Sequence, residues 1–111
     1  MANLLPTPND LIGKHRVTIL TGNLPDMSKL GHIKIIKSKK DKLVGHNRTC
    51  FIPWGWFDIF YCGEYVLFEY RNLQFFDKVI KVADGILEGT YIASAFGDTN
   101  ELVGTFRMDK V

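Results

Sequence analysis

Apolar and polar residues alternate in short runs along most of the chain, and the runs are rich in Val, Ile, Phe, Tyr and Thr. A period of two places successive side chains on opposite faces of a β-strand, so this pattern predicts strands. Helical periodicity is nearly absent: residues 8–12, preceded by Thr7 as a cap, predict one short helical turn. The predicted strands are residues 14–21, 32–38, 43–50, 54–62, 65–71, 75–82, 86–94 and 102–109.

Most connections between these runs are very short, and short loops join antiparallel neighbours. Gly63-Glu64 suits a type II′ turn and Asp84-Gly85 suits a type I′ turn. A hairpin centred on the first turn has one face that is wholly apolar or aromatic, which favours this register. The predicted pairs on that face are Tyr61 with Val66, Ile59 with Phe68 and Phe57 with Tyr70.

The next two hairpins extend the apolar face. Centring one of them on Asp84-Gly85 pairs Lys78 with Tyr91, which predicts that Lys78 points inward and Asp77 outward. An inward ammonium would need a partner or an anionic ligand, unless it reached water at an end of the barrel. On the outer face the same register pairs Lys81 with Glu88, which carry opposite charges. The last hairpin is predicted to pair Ala93 with Gly104, Tyr91 with Phe106 and Gly89 with Met108.

Eight antiparallel strands with one apolar face can form a sandwich or a barrel. Closure removes exposed edges, and eight strands leave an interior that side chains fill or that holds one small ligand. Glycines within the runs suit the bends that closure requires; they are Gly45, Gly55, Gly89 and Gly104. The sequence therefore predicts an all-β fold, an eight-stranded antiparallel up-and-down barrel with a short N-terminal helical turn.

This order of elements resembles that of the lipocalin-like (calycin) barrels. A short helical turn precedes a first strand that opens with Gly13-Lys14-His15, where the superfamily has Gly-x-Trp, and a meander of eight strands follows. The chain also resembles small bacterial lipocalin-type domains of unassigned role, through Gly45-His46-Asn47 ahead of Trp54-Gly55-x-Phe57. The resemblance implies binding of small apolar molecules, and a minority of such barrels are enzymes such as cyclases, isomerases or decarboxylases.

Length and charge limit the function classes. A chain of 111 residues, 46% of them apolar, is expected to form a single domain with one core. The formal net charge is only +2, and Asp58 and Glu69 on the outer face would repel phosphates, so we expect no nucleic-acid partner. The N-terminus lacks a signal-peptide pattern and no run approaches the roughly 20 apolar residues of a membrane span. We therefore expect a soluble, cytoplasmic protein without a membrane partner.

Aromatic side chains are predicted to converge inside the barrel. They fill a solid core or line a pocket, and the sequence leaves both alternatives open. For the pocket, inward tyrosine hydroxyls need partners, and Lys78, Tyr91 or His46 would meet a carboxylate or phenol group. The predicted ligand is small and mainly apolar, with no cofactor. Its predicted contacts are Phe57, Tyr61, Phe68, Tyr70, Lys78, Tyr91, Phe106 and His46.

The three histidines, His15, His32 and His46, match no compact metal motif, so no metal site is predicted. The register of the first three strands stays open: Ile33, Ile35, Val44, His46 and Arg48 compete with Lys34, Ile36, Leu43, Gly45 and Asn47 for the core. If His46 faces the interior, an alternative function is a proton-transfer enzyme that uses His46, a tyrosine and Lys78. No catalytic residue is assigned.

The outer face of the central hairpin carries Trp56, Phe60 and Leu67. Large apolar patches on a surface usually mark a protein interface. We therefore expect a homodimer that buries Trp56 and Phe60. A third alternative is an interaction module with a solid core that acts through this face.

Overall fold

The computed structural model describes residues 4–22, 24–94 and 101–111. Its elements are α1 (Pro8–Leu11), β1 (Gly13–Thr21), a 3-10 turn (Ser28–Leu30), β2 (Ile33–Lys39), β3 (Lys42–Thr49), β4 (Ile52–Cys62), β5 (Tyr65–Tyr70), β6 (Phe75–Ala83), β7 (Ile86–Ser94) and β8 (Glu101–Lys110). Neighbouring strands pair antiparallel in sequence order, and β1 pairs with β8. The predicted closed up-and-down barrel and helical turn are therefore confirmed.

The N-terminal segment covers the end of the barrel at which β1 begins, which we call the capped end. The Thr7 hydroxyl accepts from the Asp10 amide, and the Asp10 carboxylate accepts from the Thr7 amide, so a capping box starts α1. Asp10 also forms an ion pair with Lys81 of β6 at 3.0 Å. Leu11 is fully buried and belongs to the core. We call the opposite end, at which β1 ends, the cavity end.

The central hairpin has the predicted register, with Phe57 opposite Tyr70, Ile59 opposite Phe68 and Tyr61 opposite Val66. Five of these six side chains are buried inside the barrel. Tyr61 is 45% exposed, because it lies at the capped end and its hydroxyl reaches out to donate to the carbonyl of Pro6. The two-residue turn at Gly63-Glu64 sets this register, as two-residue turns do in hairpins.

The register of β6 against β7 is predicted correctly only beside the turn. Ala83 lies opposite Ile86, but Lys81 lies opposite Leu87, so Val82 is an extra residue that forms a bulge. One extra residue moves every side chain beyond the bulge, from Lys81 back towards the start of β6, to the other face than predicted. Asp77 therefore points inward and Lys78 outward. The predicted pairs of Lys78 with Tyr91 and Lys81 with Glu88 are wrong: Tyr91 lies opposite Asp77, and Glu88 lies opposite Ile80.

The register of β7 against β8 differs from the prediction by two residues. A shift of two leaves each side chain on its predicted face of the sheet.

Three glycines on the inner face each lie directly opposite an aromatic residue. The pairs are Gly45 with Phe57, Gly89 with Phe106 and Gly104 with Tyr91. In each pair a Cβ on the glycine would overlap the aromatic side chain. These glycines therefore leave the space into which the rings fold.

The open alternatives for β2 and β3 are decided in favour of one set. Lys34, Ile36 and Asn47 are buried in the interior. His46 lies on the other face, where its ring stacks on that of Trp56 at 5.9 Å. The predicted inward orientation of His46 is therefore wrong. A charged lysine and an amide are placed inside the barrel, where they need partners.

Candidate functional site

A cavity of about 230 Å³ lies inside the cavity end of the barrel. Its polar wall is formed by His32, Lys34, Tyr70, Asp77 and Tyr91. Its apolar wall comes from strands β1, β4, β6 and β8 and from the β1–β2 and β5–β6 connections. The apolar residues of the wall are Val17, Ile19, Leu24, Pro25, Met27, Trp54, Leu73, Phe75 and Phe106. Apolar walls with a few placed polar groups are typical of sites for small molecules.

A buried ion pair lies at this cavity. Lys34 of β2 and Asp77 of β6 are 4% and 1% exposed, and their Nζ and Oδ2 atoms are 3.6 Å apart. The Tyr70 hydroxyl joins the two groups: it accepts from Lys34 Nζ and donates to Asp77 Oδ2 at 3.0 Å. A buried charge pair is tolerated only when further hydrogen bonds satisfy it, and Tyr70 supplies two of them.

Asn47 of β3 extends the network to the last polar residue. Its Oδ1 accepts from Lys34 Nζ at 2.7 Å and contacts His32 Nε2 at 3.0 Å. Its Nδ2 donates to the carbonyl of Gly55 and to the Tyr70 hydroxyl. The network therefore joins side chains from β3, β5 and β6 to Lys34 of β2 and to His32, which directly precedes β2. It connects strands that are distant in sequence.

Burial dominates the electrostatics of this network. Desolvation lowers the pKa of Lys34 from its ordinary value and raises that of Asp77, while the charge of each partner opposes both shifts. Desolvation, with the nearby Asp77 charge, raises the pKa of Tyr70 well above 10, so its phenol stays protonated. The Lys34 ammonium also lies 5.2–5.5 Å from the ring centres of Phe57, Tyr70 and Phe106. Those rings add cation–π attraction.

The predicted pocket residues divide among four locations. Tyr70, Tyr91 and Phe106 line the cavity. Phe57 and Phe68 stack with ring centres 4.7 Å apart in the packed core, outside the cavity wall. Tyr61 lies at the capped end, and His46 and Lys78 lie on the outer surface. Lys78 is exposed, with Nζ 5.1 Å from the centre of the Tyr65 ring.

The set proposed for proton transfer is therefore not assembled, because His46 and Lys78 do not share the cavity with a tyrosine. The polar network at the cavity is formed instead by Tyr70 with Lys34, Asp77, Asn47 and His32. Lys34 and Asn47 belonged to one of the two alternatives that the sequence left open. The prediction that Asp77 points outward is wrong, and no signal in the sequence marks the bulge that turns it inward.

The histidines do not form a metal site. His15 is fully buried near the capped end, where its Nε2 is 2.7 Å from the carbonyl oxygen of Leu11. His32 lies at the cavity and His46 on the outer surface. Within residues 4–22, 24–94 and 101–111, no group of three or more His, Cys, Asp or Glu side chains is placed to hold a metal ion. In the same part of the chain, none of the helices has the length and apolar character of a membrane span.

Acid is expected to destabilise the protein through His32. Desolvation lowers the pKa of His32 from 6.5 to about 4. Between these values the unfolded chain binds a proton that the folded protein does not, so the free energy of unfolding falls as the pH falls from 6.5 to 4. At 1.36 kcal/mol per pKa unit the loss is about 3 kcal/mol. Urea unfolding at pH 7, 6, 5 and 4 measures it.

The variant His32→Gln isolates this contribution, because the glutamine amide still donates to Asn47 without titrating. Its stability should fall less steeply between pH 6.5 and 4 than that of the wild type, by about one proton's slope. His15, whose pKa burial also lowers, contributes equally to both proteins. Parallel pH profiles for the two proteins would show that His32 is not responsible.

The comparisons with known proteins add no family to this picture. No protein-family model matches the chain, and the searches of curated proteins and of solved structures gave no significant match. The architecture therefore rests on the strand order, the register and the closure between β1 and β8. It is an all-β, eight-stranded closed barrel that is compatible with the lipocalin-like architecture.

Proposed function

We propose that this barrel binds a small, mainly apolar molecule in the cavity at its cavity end. The observation that carries the proposal is the combination of a 230 Å³ space, largely apolar walls and a buried polar network at one side. Apolar walls provide affinity by removing ligand surface from water, while a few fixed polar groups orient the ligand.

The volume sets the size of the ligand. It is below the roughly 300–1,000 Å³ of sites for drug-sized molecules. It exceeds the about 150 Å³ of an engineered apolar cavity that binds benzene. A single ring with a short substituent therefore fits, and the aromatic side chains of Trp54, Phe75 and Phe106 suit its faces.

Filling the cavity is expected to abolish binding. Ile19 is partly buried and lines the cavity, whereas the neighbouring Leu20 is 48% exposed. With 4-ethylphenol or propylbenzene at about one hundred times the dissociation constant, ligand binding should stabilise the wild type by about 2.7 kcal/mol. The stabilisation should disappear in Ile19→Trp, because the indole occupies the ligand's space. Thermal unfolding with and without ligand measures it.

Leu20→Trp is the matched control, since it adds the same side chain one residue away on the outside. It should keep the ligand-induced rise in melting temperature. A wild type that shows no rise with any small apolar compound would refute the proposal. Equal rises in both tryptophan variants would place the binding site elsewhere.

The resemblance to lipocalin-like barrels supports the same function. Where that superfamily has the tryptophan of Gly-x-Trp, this chain has His15, which is fully buried at the capped end beneath Leu11. We propose that the chain is a lipocalin-like barrel in which a histidine, hydrogen-bonded to the carbonyl of Leu11 in α1, takes the position of that tryptophan. The topology supports this kinship, whereas His15 departs from the superfamily's motif and no family model matches.

We also propose that the outer face of β4 and β5 forms a homodimer. Trp56 and Phe60 of β4 are 48% and 47% exposed. Leu67 of β5 is half-buried and lies directly opposite Phe60. Phe60→Lys should convert a dimer to a monomer, while Val103→Lys, at an exposed apolar position on β8, should not. Sedimentation velocity at micromolar concentrations measures the mass. A monomeric wild type would refute the dimer.

A further inference from the structure

The hydrogen bonds around Asn47 fix the position of the proton on His32. Lys34 Nζ is only a donor, so the Asn47 atom 2.7 Å from it must be the oxygen. That same oxygen contacts His32 Nε2 at 3.0 Å, and therefore Nε2 must carry the proton and donate. The other ring nitrogen, Nδ1, is left as a bare acceptor. An unprotonated Nδ1 agrees with the low pKa of His32, because the ring is neutral at pH 7 and carries a single proton.

This acceptor has no hydrogen-bond partner among residues 4–22, 24–94 and 101–111. His32 is 5% exposed and lines the cavity, and Nδ1 is buried without a hydrogen bond. Burying a polar atom without a partner costs free energy, so such atoms are rare and ask for an explanation. Asp77 in the cavity wall carries a second acceptor: Tyr70 donates to its Oδ2, the ion pair with Lys34 is also to Oδ2, and no hydrogen bond from the described residues reaches Oδ1.

The donors of the cavity wall are, in contrast, already used. Lys34 Nζ donates to Asn47 Oδ1 and to the Tyr70 hydroxyl, and its charge is balanced by the Asp77 carboxylate, whose Oδ2 is 3.6 Å away. The Tyr91 hydroxyl donates to the carbonyl of Thr21, and the Trp54 indole donates to the Thr49 hydroxyl. A carboxylate ligand would find the Lys34 charge already balanced by Asp77 and the Tyr91 and Trp54 donors used, and a cationic ligand would meet the Lys34 ammonium.

We infer that the ligand of this cavity is an uncharged apolar molecule with a hydrogen-bond donor, a phenol or an alcohol, whose hydroxyl donates to His32 Nδ1. The inference rests on the proposed function, since it assigns the chemical class of the molecule that the cavity holds. It narrows the expectation of a carboxylate or phenol group to a hydroxyl, because the charge of Lys34 is already paired with Asp77.

Matched ligands separate the donor from the apolar body. We expect 4-ethylphenol to bind, 4-ethylanisole to bind more weakly because its ether has no proton to donate, and 4-ethylbenzoate to bind weakest. The fluorescence of Trp54 at the cavity wall reports binding, and Trp56→Phe removes the only other tryptophan. In His32→Phe the ratio of phenol to ether affinity should fall by about tenfold. Comparing ratios cancels the difference in water solubility of the two ligands.

His32→Gln is the conservative control, since its amide can donate to Asn47 and also offers an oxygen to the ligand; it should keep part of the preference. The wild-type protein gives an independent measurement if His32→Phe does not fold. The ¹⁵N resonance of His32 Nδ1 should shift on adding 4-ethylphenol, and it should stay in place on adding 4-ethylanisole.

Each outcome decides the matter. If all three ligands bind with a preference that is independent of His32, or if the benzoate binds most tightly, the inference is wrong while the proposed function stands. If none of these compounds and no alkylbenzene binds to the wild type, both are wrong. An unchanged Nδ1 resonance with bound 4-ethylphenol would also overturn the inference.

Discussion

Replacing Asp77 with asparagine is expected to lower the free energy of unfolding by about 3–5 kcal/mol, because it leaves the Lys34 ammonium buried without a counter-charge. Lys34→Met should cost a similar amount, since it leaves the carboxylate alone. In the double variant no charge is stranded, so we expect its loss to be smaller than the sum of the two single losses by about 2 kcal/mol or more. Urea unfolding of the four proteins at pH 7 gives all three values.

The surface pair of Arg71 and Asp58 is the matched control. It is shorter than the buried pair, at 2.7 Å against 3.6 Å, but its side chains are 50% and 34% exposed. Exposed pairs contribute about 0–1 kcal/mol, so Asp58→Asn should have a small effect. A large effect of Asp58→Asn and a small effect of Asp77→Asn would show that burial does not govern these pairs.

The pH dependence distinguishes a stranded charge from a loss of packing. Burial lowers the pKa of Lys34 below its ordinary value of 10.5. Between the lowered value and 10.5 the unfolded chain binds a proton that the folded chain does not, so stability rises with pH. Asp77→Asn removes the charge that opposes this shift and so lowers the pKa of Lys34 further, and the stability lost in the variant relative to the wild type should therefore shrink as the pH rises towards 10.

The opposite behaviour is expected of Lys34→Met. Burial raises the pKa of Asp77 above its ordinary value of 3.8, so between 3.8 and the raised value the folded protein holds a proton that the unfolded chain lacks. Lys34→Met removes the charge that opposes this shift and so raises the pKa of Asp77 further, and the stability lost in the variant relative to the wild type should therefore shrink as the pH falls towards 4. Additive and pH-independent losses in the two variants would contradict a buried ion pair at this site.

The sequence predicts the fold because local signals decide most of it. A two-residue turn at Gly63-Glu64 fixes the register of β4 and β5, and the apolar face of that hairpin permits no slip. Closure follows from eight short-looped antiparallel strands with a common apolar face. These features depend on residues that are close in sequence, so reading the chain is sufficient to find them.

The polar side of the cavity is less predictable, because its partners lie on distant strands. Lys34 in β2 is buried only because Asp77 in β6 and Tyr70 in β5 meet it inside the barrel. A single extra residue, Val82, decides that Asp77 faces inward and Lys78 outward. Alternation alone treats each strand separately, so it assigns a buried charge to the surface unless the partner is known.

Gly104→Ala is expected to be more damaging than alanine at Gly89 or Gly63, with a loss of about 3 kcal/mol or more. A Cβ at this position would overlap the Tyr91 side chain and also the carbonyl oxygen of Thr21, which belongs to the backbone of β1. A ring can tilt, but a paired strand cannot move without disturbing its hydrogen bonds, so overpacking is not relieved. Urea unfolding compares the variant with the wild type.

Alanine at two further glycines tests whether the loss of stability follows from the atoms that the new Cβ would meet. Gly89→Ala contacts only the Phe106 ring among its nearest atoms, so its loss should be smaller than that of Gly104→Ala. Gly63→Ala meets nothing within 4 Å, and its cost is the left-handed backbone at φ +69°, about 1–2 kcal/mol. Because Tyr91 lines the cavity, Gly104→Ala should also weaken ligand binding, whereas Gly63→Ala should not. Equal losses for Gly104→Ala and Gly63→Ala would contradict the tight fit of Tyr91 over Gly104.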